Sequence, residues 1–410
     1  MAAVRSRRPG PGPDRRAARR VARLGAMLAA ATATVSGCGR TGPGARSDAP
    51  RLDLVIERRI GGEDMALSHV FRLAVGPKGF IAEVDGPPTR VLLIGPDGTS
   101  VASGSRGDGP SEYRSVTGLG FAGDTLWVAD ARSSRALFFE LSGAFLGGGR
   151  VSAPAAAEGG STAGPIGRLE DGSWLASRAG LCITCVLTGL TTARIYVRVA
   201  DGVVRDTVFQ QPLPRADFID MPVGRWHIEG LGPLAQRPLL VRSGPGLWVV
   251  DRQSAKSAGP ASFRLHRIDR TGDTVRSATI RYEPIAVTDA WKDAWCRDRT
   301  ASAAGLPGVP SGKAEAACRE AASFPAYFPP IADALAGTDG RLWLREGRPD
   351  ARRAAWLVVD SLGHVEGRLA APPGFRLLAA DSGHVWGVLE DSMDVETIVR
   401  GRLRPGARDG

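Results

Sequence analysis

From Phe71 onward the apolar and polar positions of the chain fall into one recurring unit. Each unit is a short apolar strand, a Gly-bearing turn, a strand carrying an aromatic, a polar loop, a third apolar strand and a tight turn into a last strand. The first unit runs from Phe71 to Gly104 and the second from Val116 to Gly149. The third spans Ile166 to Val208, the fourth Leu239 to Ile280, the fifth Ala334 to Leu369 and the sixth Phe375 to Leu403. Period-two alternation, as in FRLHRID, with turn residues between the runs is the signature of antiparallel strands. The aromatic of the second strand is Phe80, Trp127, Trp174, Trp248, Trp343 and Trp386, at spacings of 47, 47, 74, 95 and 43 residues. The third and fourth units therefore carry insertions.

One such unit is a small sheet that cannot bury its own faces, so neighbouring units must stack to make a core. Radial stacking of four-stranded sheets gives a β-propeller. The pattern thus predicts an all-β chain, a six-bladed β-propeller over residues 52–410. Leu52 to Ile60 (LDLVIERRI) is one strand too many for the repeat. It is expected as the outermost strand of the last blade, closing the ring and covering the edges an open array would expose. Thr288 to Ala322 breaks the rhythm: DAWKDAWCRDR and SGKAEAACREAA read as two short helices about a Gly/Pro turn, with Ser311 as an N-cap. A helical hairpin is therefore expected between blades four and five, inside an insertion at 288–330. Its Trp291, Trp295 and Tyr327 either pack the hairpin on the propeller or form an exposed partner surface.

The N-terminus follows a different logic. Eight arginines stand against Asp14 in residues 1–37, and an uncharged run, Leu24 to Val35, follows them. About a dozen apolar residues behind a basic head make a secretory signal, because a spanning helix needs about 20. The segment ends in Val35-Ser36-Gly37-Cys38, which resembles the lipobox of bacterial lipoproteins, and that likeness implies lipidation and cleavage at Cys38. Residues 1–37 are then a signal peptide and 38–51 a tether to the bilayer. Two or more acyl chains suffice for stable anchoring. The expected address is the cell envelope, and with Gly39 rather than Asp after the cysteine, the outer membrane. The formal net charge of +10 falls to about +3 once residues 1–37 are removed. The chain has no Asn and only four Lys among 53 basic residues, a bias of base composition rather than of anion binding. No nucleic-acid partner is expected.

The second unit carries the most specific resemblance. Its lead-in and body, Gly104 to Leu146 (GSRGDGPSEYRSVTGLGF…GDTLWVADARSSRALFFELSGAFL), resemble the repeat of NHL-type propellers. The likeness extends to the six-bladed β-propeller lipoproteins of bacteria, which carry a G-x-G-P-x-E-[FY] lead-in. Ser133 and Ser134 replace the two asparagines that precede the loop arginine in that repeat, and Arg135 is kept. The resemblance implies the fold and leaves activity open.

Four further cysteines remain. Cys296 and Cys318 would face each other across the hairpin, and in an exported protein a disulfide is the default reading, worth roughly 3 kcal/mol. Cys182 and Cys185 form a C-x-x-C without the βαβ context of a redox motif, so a local structural disulfide is expected there. Candidate ligand-binding residues are those following each second strand, where propeller loops converge on the channel mouth. They are Glu83, Asp130, Arg178, Asp251 or Arg252, Arg345, Glu346 and Glu390. The bland alternative is that they pair with loop arginines such as Arg90 and Arg135 and hold blade to blade. The five histidines (His69, His227, His266, His364 and His384) are scattered and suggest neither triad nor metal cluster. No cofactor is expected; calcium is the one cation the channel carboxylates would suit, but calcium lactonases of this architecture use Asn, which the chain lacks. Two functions follow: a binding module for a protein, peptide or glycan, or a channel-mouth hydrolase or lyase using carboxylates and a divalent metal.

Overall fold

The computed structural model describes residues 49–61, 67–86, 89–151, 164–179, 193–212, 217–221, 224–228, 234, 236–244, 246–304, 311–350 and 353–406. The signal, Cys38 and the Cys182/Cys185 pair lie outside the described residues. The fold is all-β and propeller-like, with few helices. Four separate four-stranded antiparallel sheets are present. Sheet one is built from Val70–Val75, Ile81–Asp85, Arg90–Ile94 and Ser100–Ala102, and sheet two from Val116–Ala122, Thr125–Asp130, Arg135–Glu140 and Phe145–Arg150. Sheet three holds Gly164–Arg168, Trp174–Ala179, Ala193–Ala200 and Val203–Pro212, and sheet four Leu239–Ser243, Gly246–Val250, Ala261–Ile268 and Thr274–Tyr282.

Two small two-stranded sheets pair Ser105–Arg106 with Glu112–Tyr113 and Asp217–Met221 with Gly224–Ile228, and eight further strands hydrogen-bond as one sheet. Within it, Ile331–Ala336, Leu342–Glu346, Ala355–Val359 and Val365–Ala370 form one antiparallel run, the fifth run below. Phe375–Ala380, His384–Glu390, Glu396–Pro405 and the N-terminal strand Arg51–Ile60 form another, the sixth run. The two runs join only through a short parallel pairing of Arg51 and Leu52 with Arg368 and Leu369. Arg51–Ile60 pairs antiparallel with Glu396–Pro405 along most of its length. The last run is therefore completed by the first strand of the chain.

Strand polarity alternates because successive side chains leave a strand on opposite faces, and here both faces are covered. On sheet four, Leu247 and Val249 face a cluster with Leu175 and Tyr196 of sheet three. Their neighbours Trp248 and Val250 pack with Leu342 and Leu344 of the fifth run. Such continuous apolar runs mark strands buried on both sides. The other clusters follow suit. Ala82 and Val84 pack on Leu126 and Val128, Ala136 on Ala176 and Val197, and Trp343 on Phe375 and Val385. The cluster of Trp386 and Val388 with Leu73 and Ile81 then returns to sheet one. First strands lie beside first strands from sheet to sheet, Val70–Val75 touching both Phe375–Ala380 and Val116–Ala122, so they form the inner wall.

Two helices follow sheet four, α1 (Asp289–Ala304) and α2 (Ser311–Ala321). Thr288 caps α1, its hydroxyl accepting the Trp291 N–H at 3.2 Å. A disulfide joins Cys296 to Cys318 across the pair, Cα to Cα 5.7 Å, and both cysteines are fully buried. Trp291 stacks edge-on to Phe328 and Trp295 to Phe324, and Trp291 packs with the buried Leu234 and Val287. Of the two readings of these tryptophans, packing against the body is the one seen.

Candidate functional site

A chain entering the first strand of a sheet leaves backbone N–H groups with no ladder partner, and burial demands that they be satisfied. In sheet two this is what Asp130 does. Its carboxylate accepts from the N–H groups of Arg114 and Ser115 at 2.9 and 3.1 Å, and from the Arg132 N–H at 3.1 Å. Sheet one repeats the arrangement with Asp85, which accepts from the Ser68 and His69 N–H groups at 3.0 and 2.7 Å and from Arg90. Burial pushes the Asp85 carboxyl up, but the His69 N–H, Arg90 and Ser68 outweigh it and hold it below the ordinary carboxylate value. Glu346, buried at the end of its strand, is clamped by Arg348 at 2.7 Å and Arg368 at 2.9 Å. Glu396 plays the same part at the seam of the closing run. It accepts the Val70 N–H at 2.6 Å, contacts His69 at 2.8 Å and pairs with Arg376 at 2.5 Å.

Several of the other sequence candidates have partners of their own. Arg178 sits on its strand opposite Ile195, with its side chain outside the described residues. Asp251 accepts the Gln253 N–H at 3.2 Å. Arg252 donates to the carbonyls of Arg237 and Ala332, and burial lowers its pKa to about 10. Arg345 is partly exposed, 4.0 Å from Asp333, and Glu390 is half-buried opposite Glu396. Glu83 lies mid-strand between its cross-strand neighbours Leu73 and Leu92, fully buried, with neither oxygen hydrogen-bonded. Strand alternation puts it on the face of Ile81, toward the closing run rather than a channel mouth. Among the described residues no group of three or more His, Cys, Asp or Glu is placed to hold a metal ion.

The sequence reading missed the cations of the inner wall. Arg72 and Arg242 remain in contact with solvent, yet desolvation lowers the pKa of both. Arg242 of sheet four crosses Gly167 of sheet three and lies 5.3 Å from the Trp127 ring of sheet two. Only a narrow interior lets residues of three sheets meet. The lead-in motif is also explained: Tyr113 is buried and its hydroxyl accepts the Val91 N–H at 2.8 Å. Arg135 donates to the Gly109 and Glu112 carbonyls at 3.2 and 2.6 Å. It fixes that loop, and Asp108 lies in its field.

Where the lead-in meets the flank of sheet two, a cavity of about 550 Å³ opens among Asp108, Arg132, Ser133, Arg135 and Arg150. Asp108 is already engaged: its hydrogen bonds and charge pairing with Arg114 hold its carboxyl below the ordinary value. A second cavity of about 460 Å³, between sheets two and three, shares Arg150 and is lined by Phe138, Trp174, Arg198, Asp171 and Asp201. Arg198 is paired with Asp206 at 2.7 Å, whereas Arg150 has no acidic partner among the described residues. The two cavities have Arg150 in common; Asp108 lies in the field of Arg132 and Arg135 in the first, and Asp171 and Asp201 line the second.

No protein-family model matches the chain and no curated protein matches it. Solved structures do align with it. A Bacteroides fragilis protein whose export is assigned by name alone aligns at 11% identity and a TM-score of 0.48, covering 87% of this chain and 96% of that one. Regucalcin from Agrobacterium tumefaciens, a calcium-binding protein, aligns at 10% identity and 0.41, covering 86% and 97%. The PQQ-bound aldose sugar dehydrogenase of Streptomyces coelicolor aligns at 12% and 0.41, covering 87% and 100%. These are β-propeller proteins, and likeness at this level transfers no ligand or activity to the present chain.

Proposed function

We propose that this chain is a six-bladed binding propeller displayed at the cell envelope from a lipidated Cys38. The eight-stranded sheet would count as two blades, and the disulfide-linked helices as an insertion between blades four and five. In this reading Cys182 and Cys185 form a second, local disulfide, and the outer membrane is the expected address. The module binds a polar, anionic ligand on a protein, peptide or glycan. One observation carries this: Arg150 lines both cavities with no acidic partner among the described residues, while Asp85, Asp130, Glu346 and Glu396 are spent on loop amides and arginines. Arginine forks recognise carboxylates and phosphates with two parallel hydrogen bonds, which suits recognition more than turnover.

Two measurements test it. Thermal unfolding of the purified protein should shift upward with heparin, polygalacturonate or poly-glutamate at low salt, and less so at high salt. Absence of any shift with all three would end the binding reading. Fractionation of cells expressing the intact chain should place it in membranes, and Cys38→Ala should release it; a membrane-bound Cys38→Ala protein would overturn the anchor.

A further inference from the structure

We propose that the joint between sheet one and the closing sixth run is a proton-operated latch, shut while Glu83 is neutral and loosened locally when Glu83 ionises. The joint is made by Leu73, Ile81 and Leu92 on one side and by Trp386, Val388 and Ile398 on the other. Glu83 stands in that apolar contact, on the face of Ile81 and between its cross-strand neighbours Leu73 and Leu92. It is fully buried and neither carboxyl oxygen has a hydrogen-bond partner. Among the described residues it is the only buried acid of which this is true. An ionised carboxylate at that place has neither water nor a donor, which is costly, so the closed joint favours the neutral acid.

The charges around the joint are already committed. On the strand of Glu83 itself, Asp85 is held by the Ser68 and His69 N–H groups. Arg90, whose charge reaches Glu83, is bound to Asp85 at 2.8 Å. Across the joint, Glu396 takes the Val70 N–H, His69 and Arg376. Glu390 follows Trp386 and Val388 on their face of the strand and adds no cation. Farther along, Arg400 lies over the Trp386 ring and 3.4 Å from Glu57, and Arg58 acts on Asp97. Asp85 and Glu396 therefore add to the effect of burial on Glu83 and raise its pKa from 4.5 to about 8. Glu396 is also the polar tie between the two sides of the joint, since Val70 and His69 belong to sheet one. Repulsion from an ionised Glu83 falls on the group that holds the ends of the chain together. Once the joint opens, Glu83 is free to release its proton at its ordinary value. Opening therefore becomes easier as pH climbs from 4.5 to about 8, and no easier above that.

The test is amide hydrogen exchange of the full chain at about pH 6 and about pH 9, corrected for the intrinsic rise of exchange with pH. Amides of Val70–Val75 and Glu396–Pro405 should lose protection about tenfold or more between the two, because opening releases a proton over most of that interval. Amides of Ala193–Ala200 and Ala261–Ile268, in sheets three and four, should keep theirs. Glu83→Gln should abolish the difference between the two pH values at the joint. Circular dichroism checks that the variant folds, and Glu83→Leu, which cannot ionise either, replaces it where the amide is not tolerated. Undiminished protection of the joint at the higher pH would overturn the latch. So would the same loss in the variant, which would assign it to another group, or an equal loss in every sheet, which would make the opening global. Carboxyl ¹³C shifts of the intact protein give a reading without any substitution: a Glu83 that titrates at its ordinary value in the folded chain would also overturn the proposal.

Discussion

Glu83 shows how far a single position departs from its appearance in sequence. It stands between Ala82 and Val84 in a strand whose five residues are all buried, and the fold buries it completely. Its pKa rises from 4.5 to about 8, through burial first and then the Asp85 carboxylate, against the pull of Arg90. The folded chain therefore holds a proton that the unfolded chain gives up, and stability falls as pH climbs from 4.5 to about 8. The slope from this one group is at most about 1.4 kcal/mol per pH unit. Glu83→Gln should flatten that part of the profile and stabilise the protein in alkali, read from urea midpoints at about pH 5 and about pH 9. Parallel profiles for the two proteins would mean that Glu83 is ionised in the fold. Asp130 is the opposite case. The same alternation that makes it conspicuous places it where loop amides need an acceptor, so its carboxylate is structural although it looks like a ligand.

At the scale of elements, most of the chain was legible. The repeat unit, the aromatic second strand and the two helices depend on period and capping within a few residues; the elements fall near where those periods put them, but Phe80 lies just ahead of Ile81–Asp85 rather than in it, and the hairpin of Asp217–Met221 and Gly224–Ile228 has no counterpart in the repeat. The disulfide was legible too, because Cys296 and Cys318 lie on helices that a short turn must bring side by side. What was not legible is the use of the inner strands. Bulges at Phe71, Thr117, Ile166, Ala332 and Leu378 shift the register of five first strands. A one-residue shift changes which face a side chain takes. For the helical pair, replacing Cys296 and Cys318 by Ala removes a constraint worth roughly 3 kcal/mol. Hydrogen exchange should quicken in α1 and α2 while the strands of sheets one and two stay protected; unchanged protection in the helices would show that Trp291 and Trp295 packing suffices alone.

For the whole molecule, closure is the decisive event. Arg51–Ile60 leaves the N-terminal region to pair with Glu396–Pro405 at the far end of the chain, and Glu396 reaches back to His69 across 327 residues. Such long-range pairing is slow to form and is rewarded only when the cycle of packed faces is complete. Removing Arg51–Ile60 would expose the edge of Glu396–Pro405 and strip Leu52, Leu54 and Ile56 from the cluster of Trp343, Trp356 and Leu369. Such a truncated chain should aggregate or lose its cooperative urea transition, seen by size-exclusion chromatography and denaturation. A monomer with an unchanged transition would show that the ring closes without its first strand. The sequence by itself determined most strands, the helices and their disulfide, because each depends on contacts or periods local in the chain; the seat of the surplus N-terminal strand followed from the need to cover an open edge. Only the tertiary structure decided which charges are committed and which are free. Arg242 over Trp127, Glu396 on Val70 and Arg150 at the junction of two cavities are meetings between residues of different sheets, and no local pattern encodes a distance across a ring.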